Sequence, residues 1–157
     1  MRDRVARAWV LAAVLALVVL IADQVVKDIV EHHIVLGEQV EVLGPLKLTL
    51  SHNEGVAFGL ANGGGILLVV VSLVALAVVL WLFSRDPARP GMWVATGLLA
   101  GGAFGNLIDR VRHGHVTDFI ELPHWPPFNL ADCAITCGVV ILLVIYLRAA
   151  ERAEHGS

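Results

Sequence analysis

The chain has 157 residues, about one domain's worth of sequence, with 57% hydrophobic and only 16% charged residues, where an ordinary soluble domain carries about 25% charged. A net charge of -3 without a basic stretch offers nothing to nucleic acid. The two cysteines, Cys133 and Cys137, are too few for a disulfide scaffold and lack zinc-finger spacing. The apolar residues fall in runs too long for a small soluble core to hide, so the composition describes an all-α polytopic membrane protein.

A helix that crosses the hydrocarbon core needs about 20 mostly apolar residues, and four segments qualify. The first is unbroken from Trp9 to Ala22 and reaches membrane length through Val25 and Val26. Arg2, Arg4 and Arg7 ahead of it imitate a signal peptide, but no small-x-small cleavage site follows, so it reads as an uncleaved first span. After it, Gln39–Val42 and Leu46–Ser51 alternate apolar and polar around Gly44-Pro45, a pattern for a short strand pair. The second span runs from Ile66 to Phe83 with Ser72 as its one polar interruption. A Pro-containing connector leads to the third, which begins near Met92, is rich in glycine and ends in a polar cluster. The fourth runs from Ala134 to Leu147, with Leu130–Asp132 as its first turn. The expected layout is one membrane-embedded domain over residues 1–157, with spans at about 8–28, 65–83, 92–108 and 130–148.

Orientation follows from Lys and Arg in the loops. Arg2, Arg4, Arg7, Arg85, Arg89, Arg148 and Arg152 fall on one side of the four spans. Lys27, Lys47, Arg110 and Arg112 fall on the other. Both termini are therefore expected in the cytoplasm, with the segments at about 29–64 and 109–129 outside it. The strand pair would form a small extracytoplasmic subdomain between the first two helices. The absence of an internal repeat weakens an inverted-repeat transporter reading.

Ionisable residues at membrane depth mark function by default, and Asp23, Lys27, Asp109, Arg110, Asp118 and Asp132 all lie at the outer ends of the expected spans. Asp23 and Lys27, four apart on one helix, can pair on a single face as a structural joint. Gly97, Gly101 and Gly105 form a small-xxx-small face suited to close helix packing. That packing would carry Asn106, Asp109 and Arg110 into the centre of the bundle.

Asp118 lies in an apolar return after the basic loop, and Asp132 opens the fourth span. Pro123, Pro126 and Pro127 between them preclude one continuous helix, so the chain can fold back and bring the carboxylates together. Two carboxylates sharing a site keep one proton between them, which permits aspartic-protease chemistry. Helix capping and loop anchoring are the alternative use of the same residues. His113, His115 and His124 near Asp118 raise a zinc site as a further alternative, although none lies in an HExxH helix. His32-His33 reads as an exposed loop pair, and the cysteines as ordinary small residues on one helix face.

Taken together, the motifs resemble the bacterial lipoprotein signal peptidases (signal peptidase II). Asp23-Gln24-Val-Val-Lys27 is like D-Q-x-x-K, and Asn53-Glu-Gly55-Val-Ala57-Phe58-Gly59 is like N-x-G-x-A-F-G. Gly101–Arg110 is like G-G-A-x-G-N-x-x-D-R, Val116–Phe119 like V-x-D-F, and Phe128–Asp132 like F-N-x-A-D. Each is short, but five in order on a four-span frame are specific. Cys133 after the last aspartate, where serine is frequent, and His52 before Asn53 depart from the usual pattern without touching a motif position.

The resemblance implies a membrane aspartic endopeptidase of the bacterial inner membrane, active at the extracytoplasmic face. It would remove signal peptides from prolipoproteins by cutting before the diacylglyceryl-modified cysteine. Asp118 and Asp132 map to the catalytic pair. Asn53, Gly55, Asn106, Arg110 and Asn129 map to substrate-binding or supporting positions, and Asp23, Lys27 and Asp109 to structural polar ones. It further implies no metal or organic cofactor, prolipoprotein substrates and membrane lipids as partners, inhibition by globomycin, and a monomer. A small transporter or channel subunit, or a zinc-dependent membrane hydrolase, is the competing reading from another class.

Overall fold

The computed structural model describes residues 2–55 and 64–155. Among the described residues four long helices and four strands follow in the order α1 (Arg2–His33), β1 (Gln39–Leu43), β2 (Leu46–Asn53), α2 (Gly64–Arg85), α3 (Met92–His113), β3 (Val116–Leu122), β4 (Trp125–Phe128) and α4 (Leu130–His155). Helix α1 runs several residues past the expected span at each end, so His32 and His33 form its last turn rather than a loop.

The helices are apolar on the outside. Val14, Leu17, Val70, Val74, Val140 and Leu143 are among many large hydrophobic side chains left exposed, an outer surface suited to lipid. Three helices, α1, α2 and α4, are long and apolar enough to cross a membrane. Helix α3 is different: at 22 residues it matches α2 in length, but it is the buried element. It packs against α1, α2 and α4. A helix wrapped by protein needs less apolar surface than one facing lipid, which is why α3 can carry seven polar residues or glycines among its buried positions, Thr96, Gly97, Gly101, Gly102, Gly105, Asn106 and Asp109.

Glycine makes this enclosure possible, because the neighbouring backbones come too close for a side chain. A Cβ at Gly101 would lie 2.6 Å from the Ala16 carbonyl of α1, and one at Gly102 would lie 2.5 Å from the Ala131 carbonyl of α4. The glycines of α3 therefore serve two neighbours at once. At the end of α3, Gly114 turns the chain with φ 79° and its N–H caps the Arg110 carbonyl at 3.1 Å.

The strands form one antiparallel sheet in the order β1-β2-β3-β4. The hairpin expected between the first two helices is present, but it is only half of the sheet. Val116–Phe119, expected as an apolar return, belong to β3, which pairs with β2 in the register Ser51↔Asp118, His52↔Thr117 and Asn53↔Val116. The Pro126-Pro127 pair lies in β4, at the sheet edge where missing N–H donors cost no ladder bond. Val30 and Ile34 of α1, Leu50 of β2 and Phe119 of β3 form a buried cluster that seats the sheet on the bundle.

Candidate active site

Each polar residue of the site is delivered by the end of an element. Asp23, Gln24, Lys27 and Glu31 come from the last turns of α1, Asn106, Asp109 and Arg110 from the end of α3, Asn53 from the end of β2, and Asp118 from β3. Asn129 and Asp132 open α4.

The deepest part is an ionic joint. Lys27 Nζ lies 2.7 Å from both Asp23 Oδ2 and Asp109 Oδ2, with all three side chains at most 4% exposed. The remaining oxygens are also used. Asp23 Oδ1 accepts from the Ala131 N–H at 2.9 Å, Asp109 Oδ1 from Gln24 Nε2 at 2.8 Å, and Asp109 Oδ2 from the Thr117 N–H at 3.3 Å. Through these contacts one ammonium ties α1 to α3, and the carboxylates reach on to α4 and β3. Gln24 and Thr117 carry structural weight that sequence reasoning missed. So does Glu31, whose Oε1 accepts from the Thr117 hydroxyl at 2.5 Å. Gln24 stands inside the Asp23–Lys27 motif, whereas Glu31 offers no sequence signal.

From this joint an amide relay leads outward. Lys27 Nζ donates to Asn106 Oδ1 at 3.2 Å, and the same oxygen accepts from Asn129 Nδ2 at 3.1 Å. Asn106 Nδ2 donates to Asp132 Oδ1 at 2.8 Å. Asn129 Nδ2 also donates to Asp118 Oδ1 at 2.6 Å, and Asn53 Nδ2 donates to Asp118 Oδ2 at 3.0 Å. The two aspartates thus meet in one amide network, although 13 residues, including the rest of β3 and all of β4, separate them in the chain.

Asp132 has a second role. Its N–H donates to Asn129 Oδ1 at 2.9 Å, and its Oδ2 accepts from the Asn129 N–H at 3.3 Å. This reciprocal pair is a capping box at the start of α4. The capping alternative raised from sequence is therefore present, but it occupies one oxygen and leaves the other in the amide network.

Asp118 is only 2% exposed. Burial pushes its carboxyl from 3.8 up to about 6; the Asn53 and Asn129 amides oppose the shift, and the negative charge of Asp132 adds to it. The Asp118 carboxyl therefore keeps its proton to higher pH than an ordinary aspartate does.

Two hollows open on Asp132. One, about 290 Å³, lies between α2, α3 and α4, with Asn106, Arg110 and Asp132 at its polar end and Val71, Leu76 and Leu99 in its apolar wall. The other, about 590 Å³, lies between β4 and α4, where Trp125, Pro126 and Phe128 face Cys133 and Cys137. Arg110 is half-buried and donates to the Asn106 carbonyl at 3.4 Å. Gly55, with φ 76°, turns the chain after β2 and donates its N–H to Asn53 Oδ1 at 3.0 Å, orienting that amide toward Asp118. Val56, Ala57, Phe58 and Gly59 of the same motif lie outside the described residues.

The histidines are arranged differently from the zinc expectation. His115 stacks on His52 at 3.8 Å between ring centroids, with His113 at 5.8 Å, while His124 takes a φ of 63° in the turn between β3 and β4. Burial and the neighbouring His52 and His113 lower the pKa of His115. Among the described residues no group of three or more His, Cys, Asp or Glu side chains is arranged to hold a metal ion.

This geometry sits in a chain with many close relatives. A family model described as signal peptidase (SPase) II matches residues 15–148. The lipoprotein signal peptidase of Syntrophomonas wolfei is 39% identical over 155 residues, spanning 99% of this chain and 91% of that protein. That of Moorella thermoacetica is 45% identical over 130 residues, spanning 82% and 87%. A solved structure described as a bacterial membrane enzyme determined by the in meso method at 1.9 Å superposes with a TM-score of 0.82 at 34% identity, covering 87% of this chain and 92% of the other. With a matched family model over most of its length and relatives of this similarity, the chain belongs to the signal peptidase II family.

Proposed function

We propose that this chain is a membrane aspartic endopeptidase that removes signal peptides from prolipoproteins by cleaving before the diacylglyceryl-modified cysteine, with Asp118 and Asp132 activating water. The observation that carries this reading is Asn129, whose amide donates to Asp118 while its backbone N–H donates to Asp132. One residue thereby holds both carboxylates at a single point beside two apolar hollows.

The chemistry follows from that pairing. Two adjacent carboxylates share one proton, which burial draws toward Asp118. Asp132 then acts as the base. It takes a proton from water as the water oxygen bonds to the scissile carbonyl carbon, while the protonated carboxyl donates to the carbonyl oxygen. Asp132 then gives its proton to the leaving nitrogen as the C–N bond breaks, and Asp118 takes one back from the intermediate's hydroxyl, which restores the shared proton. Water is the nucleophile, so no acyl-enzyme forms and neither Cys133 nor Cys137 is required. Asn53, Asn106 and Asn129 hold the carboxylates in place, and Arg110 at the mouth of the α2–α3–α4 hollow is placed to meet a substrate carbonyl or lipid phosphate. The substrate's acyl chains stay in the bilayer against the apolar helix faces.

In this reading all four helices cross the bacterial inner membrane, α3 inside the other three. The termini are cytoplasmic, the sheet and the dyad are extracytoplasmic, and the protein works as a monomer without a cofactor. The β1–β2 hairpin, with Asn53 and Gly55 at its end, covers the substrate from outside.

The deciding experiment is cleavage of a diacylglyceryl-modified prolipoprotein by the purified protein in detergent, beside Asp118→Asn, Asp132→Asn, EDTA and globomycin. The expected result is cleavage before the modified cysteine, indifferent to EDTA, blocked by globomycin and lost in both variants. Cysteine variants Cys133→Ala and Cys137→Ala keep most activity. Appreciable turnover by either folded aspartate variant overturns the dyad, and EDTA-sensitive cleavage overturns the metal-free mechanism.

A further inference from the structure

At the end of the bundle remote from the aspartates, the connector between α2 and α3 lies against α4. Arg89, Arg148 and Arg152 surround a cleft of about 460 Å³ there, and Asp86 is the one acid among the described residues that line it. Arg148 and Arg152 are four apart on one face of α4, both exposed, and neither is in an ion pair with an acid among the described residues. Like charges so placed repel unless an anion comes between them. Arg89 is held in position: its Nε lies 3.2 Å from Asp86 Oδ2, and its guanidinium sits over the Tyr146 ring at 5.4 Å.

The cleft is not uniformly polar. Val144 and Ile145 form its wall on the side of the bilayer, so it runs from apolar to cationic along α4. Aromatic side chains at the same level, Trp81 under Arg85 and Tyr146 under Arg89, are the residue types that settle at the headgroup layer. Across the connector a second cleft of about 350 Å³ repeats the chemistry, with Arg4, Arg7 and the shared Arg89 beside Leu11 and Trp93.

We propose that the cleft between α4 and the 86–91 connector binds an anionic glycerophospholipid, its phosphate held by Arg89, Arg148 and Arg152 and an acyl chain lying along Val144 and Ile145. A soluble phosphate would satisfy the arginines but leave the apolar wall bare. A lipid matches both ends, and basic pockets between membrane helices are known anionic-headgroup sites. The site is separate from the peptidase reading and does not depend on it.

The test uses the full chain, purified and delipidated in detergent, titrated with phosphatidylglycerol or phosphatidylcholine and read by native mass spectrometry. Inorganic phosphate serves as competitor. Wild-type protein is expected to retain phosphatidylglycerol saturably and phosphatidylcholine weakly. The double variant Arg148→Gln/Arg152→Gln is expected to lose roughly 25-fold in affinity, about fivefold per arginine. Arg2→Gln/Arg85→Gln, which removes the same charge from the same end outside the cleft, is expected to stay within about twofold of wild type. Circular dichroism verifies the fold of each variant. Equal retention of the two lipids overturns the proposal, as does an equal loss in the control variant, which would mean diffuse attraction. Displacement by inorganic phosphate at concentrations comparable to the lipid's would reduce the site to a simple anion site and overturn the lipid assignment.

Discussion

Lys27→Met removes the charge of the ionic joint while keeping most of the side chain's length and apolar bulk. In the wild type one ammonium serves two carboxylates at 2.7 Å each, in surroundings where none of the three is more than 4% exposed. Without it, Asp23 retains the Ala131 N–H, and Asp109 retains Gln24 and the Thr117 N–H, but their mutual repulsion is uncompensated. Removing one partner of a buried ion pair costs about 3–5 kcal/mol. Here two charges are stranded rather than one, so the upper end, about 4–5 kcal/mol, is expected, relieved only where one carboxylate takes up a proton. The triple variant Lys27→Met/Asp23→Asn/Asp109→Asn keeps the shapes and strands no charge, so its loss should fall below about 2 kcal/mol. Reversible unfolding in mixed detergent micelles measures both. A Lys27→Met protein within about 0.5 kcal/mol of wild type, or a triple variant no better than the single one, would refute the electrostatic account of this joint.

The elevated pKa of Asp118 gives a pH dependence with a definite sign. Its folded-state value of about 6 lies above the ordinary 3.8, so the folded protein binds this proton more tightly than the unfolded chain. The resulting stability is fully present below about pH 4 and is lost as pH rises to about 6, by at most about 3 kcal/mol. Subtracting the unfolding curve of Asp118→Asn from that of wild type across this range isolates the effect, and a flat difference would contradict it. In the proposed mechanism kcat/KM, which reports the free enzyme, should turn down above about pH 6. Asn129→Ala removes a helix cap together with the amide shared by both aspartates. It should cost about 1–2 kcal/mol by denaturation and lower kcat more than it raises KM; an unchanged kcat would argue against a positioning role. Gly102→Ala forces a methyl to within 2.5 Å of the Ala131 carbonyl. Overpacking of about 1–3 kcal/mol should exceed the gain of up to about 1 kcal/mol in helix propensity, and an unfolding measurement showing net stabilisation would mean that α3 and α4 separate freely.

The helices were legible because apolar run length is a strong signal, and α2, with a single serine inside its run, was the plainest case. Helix α3 was weaker in composition because its partner is protein rather than lipid. The sheet was half legible. Alternation around Gly44-Pro45 revealed β1 and β2, but Val116–Phe119 is buried on both faces and shows no alternation. Two prolines hid β4, an edge strand that tolerates them. Within the site, the i, i+4 spacing disclosed the Asp23–Lys27 pair, yet nothing in it could disclose that Asp109 completes the joint from another helix. Asn53 and Asn129 stood out only through their motifs, and Asn106 also through the glycine face that carries it inward, since an asparagine's hydrogen-bond partners are set by tertiary structure. The contact of Glu31 with Thr117 joins residues 86 apart and left no local trace.

The sheet draws its strands from both sides of α2 and α3, and this bears on when the site comes into being. Asn53 is synthesised before either of those helices, Asp118 after both, and Asn129 only at the threshold of α4. No nascent chain shorter than α4's first turn can hold both carboxylates, because the residue that joins them and the second carboxylate itself have not emerged. Early β1–β2 pairing is local and fast, whereas docking of β3 closes a loop that spans two whole helices. The two aspartates therefore cannot come together until α4 has begun, and a chain that stops short of α4 has neither Asn129 nor Asp132 in place.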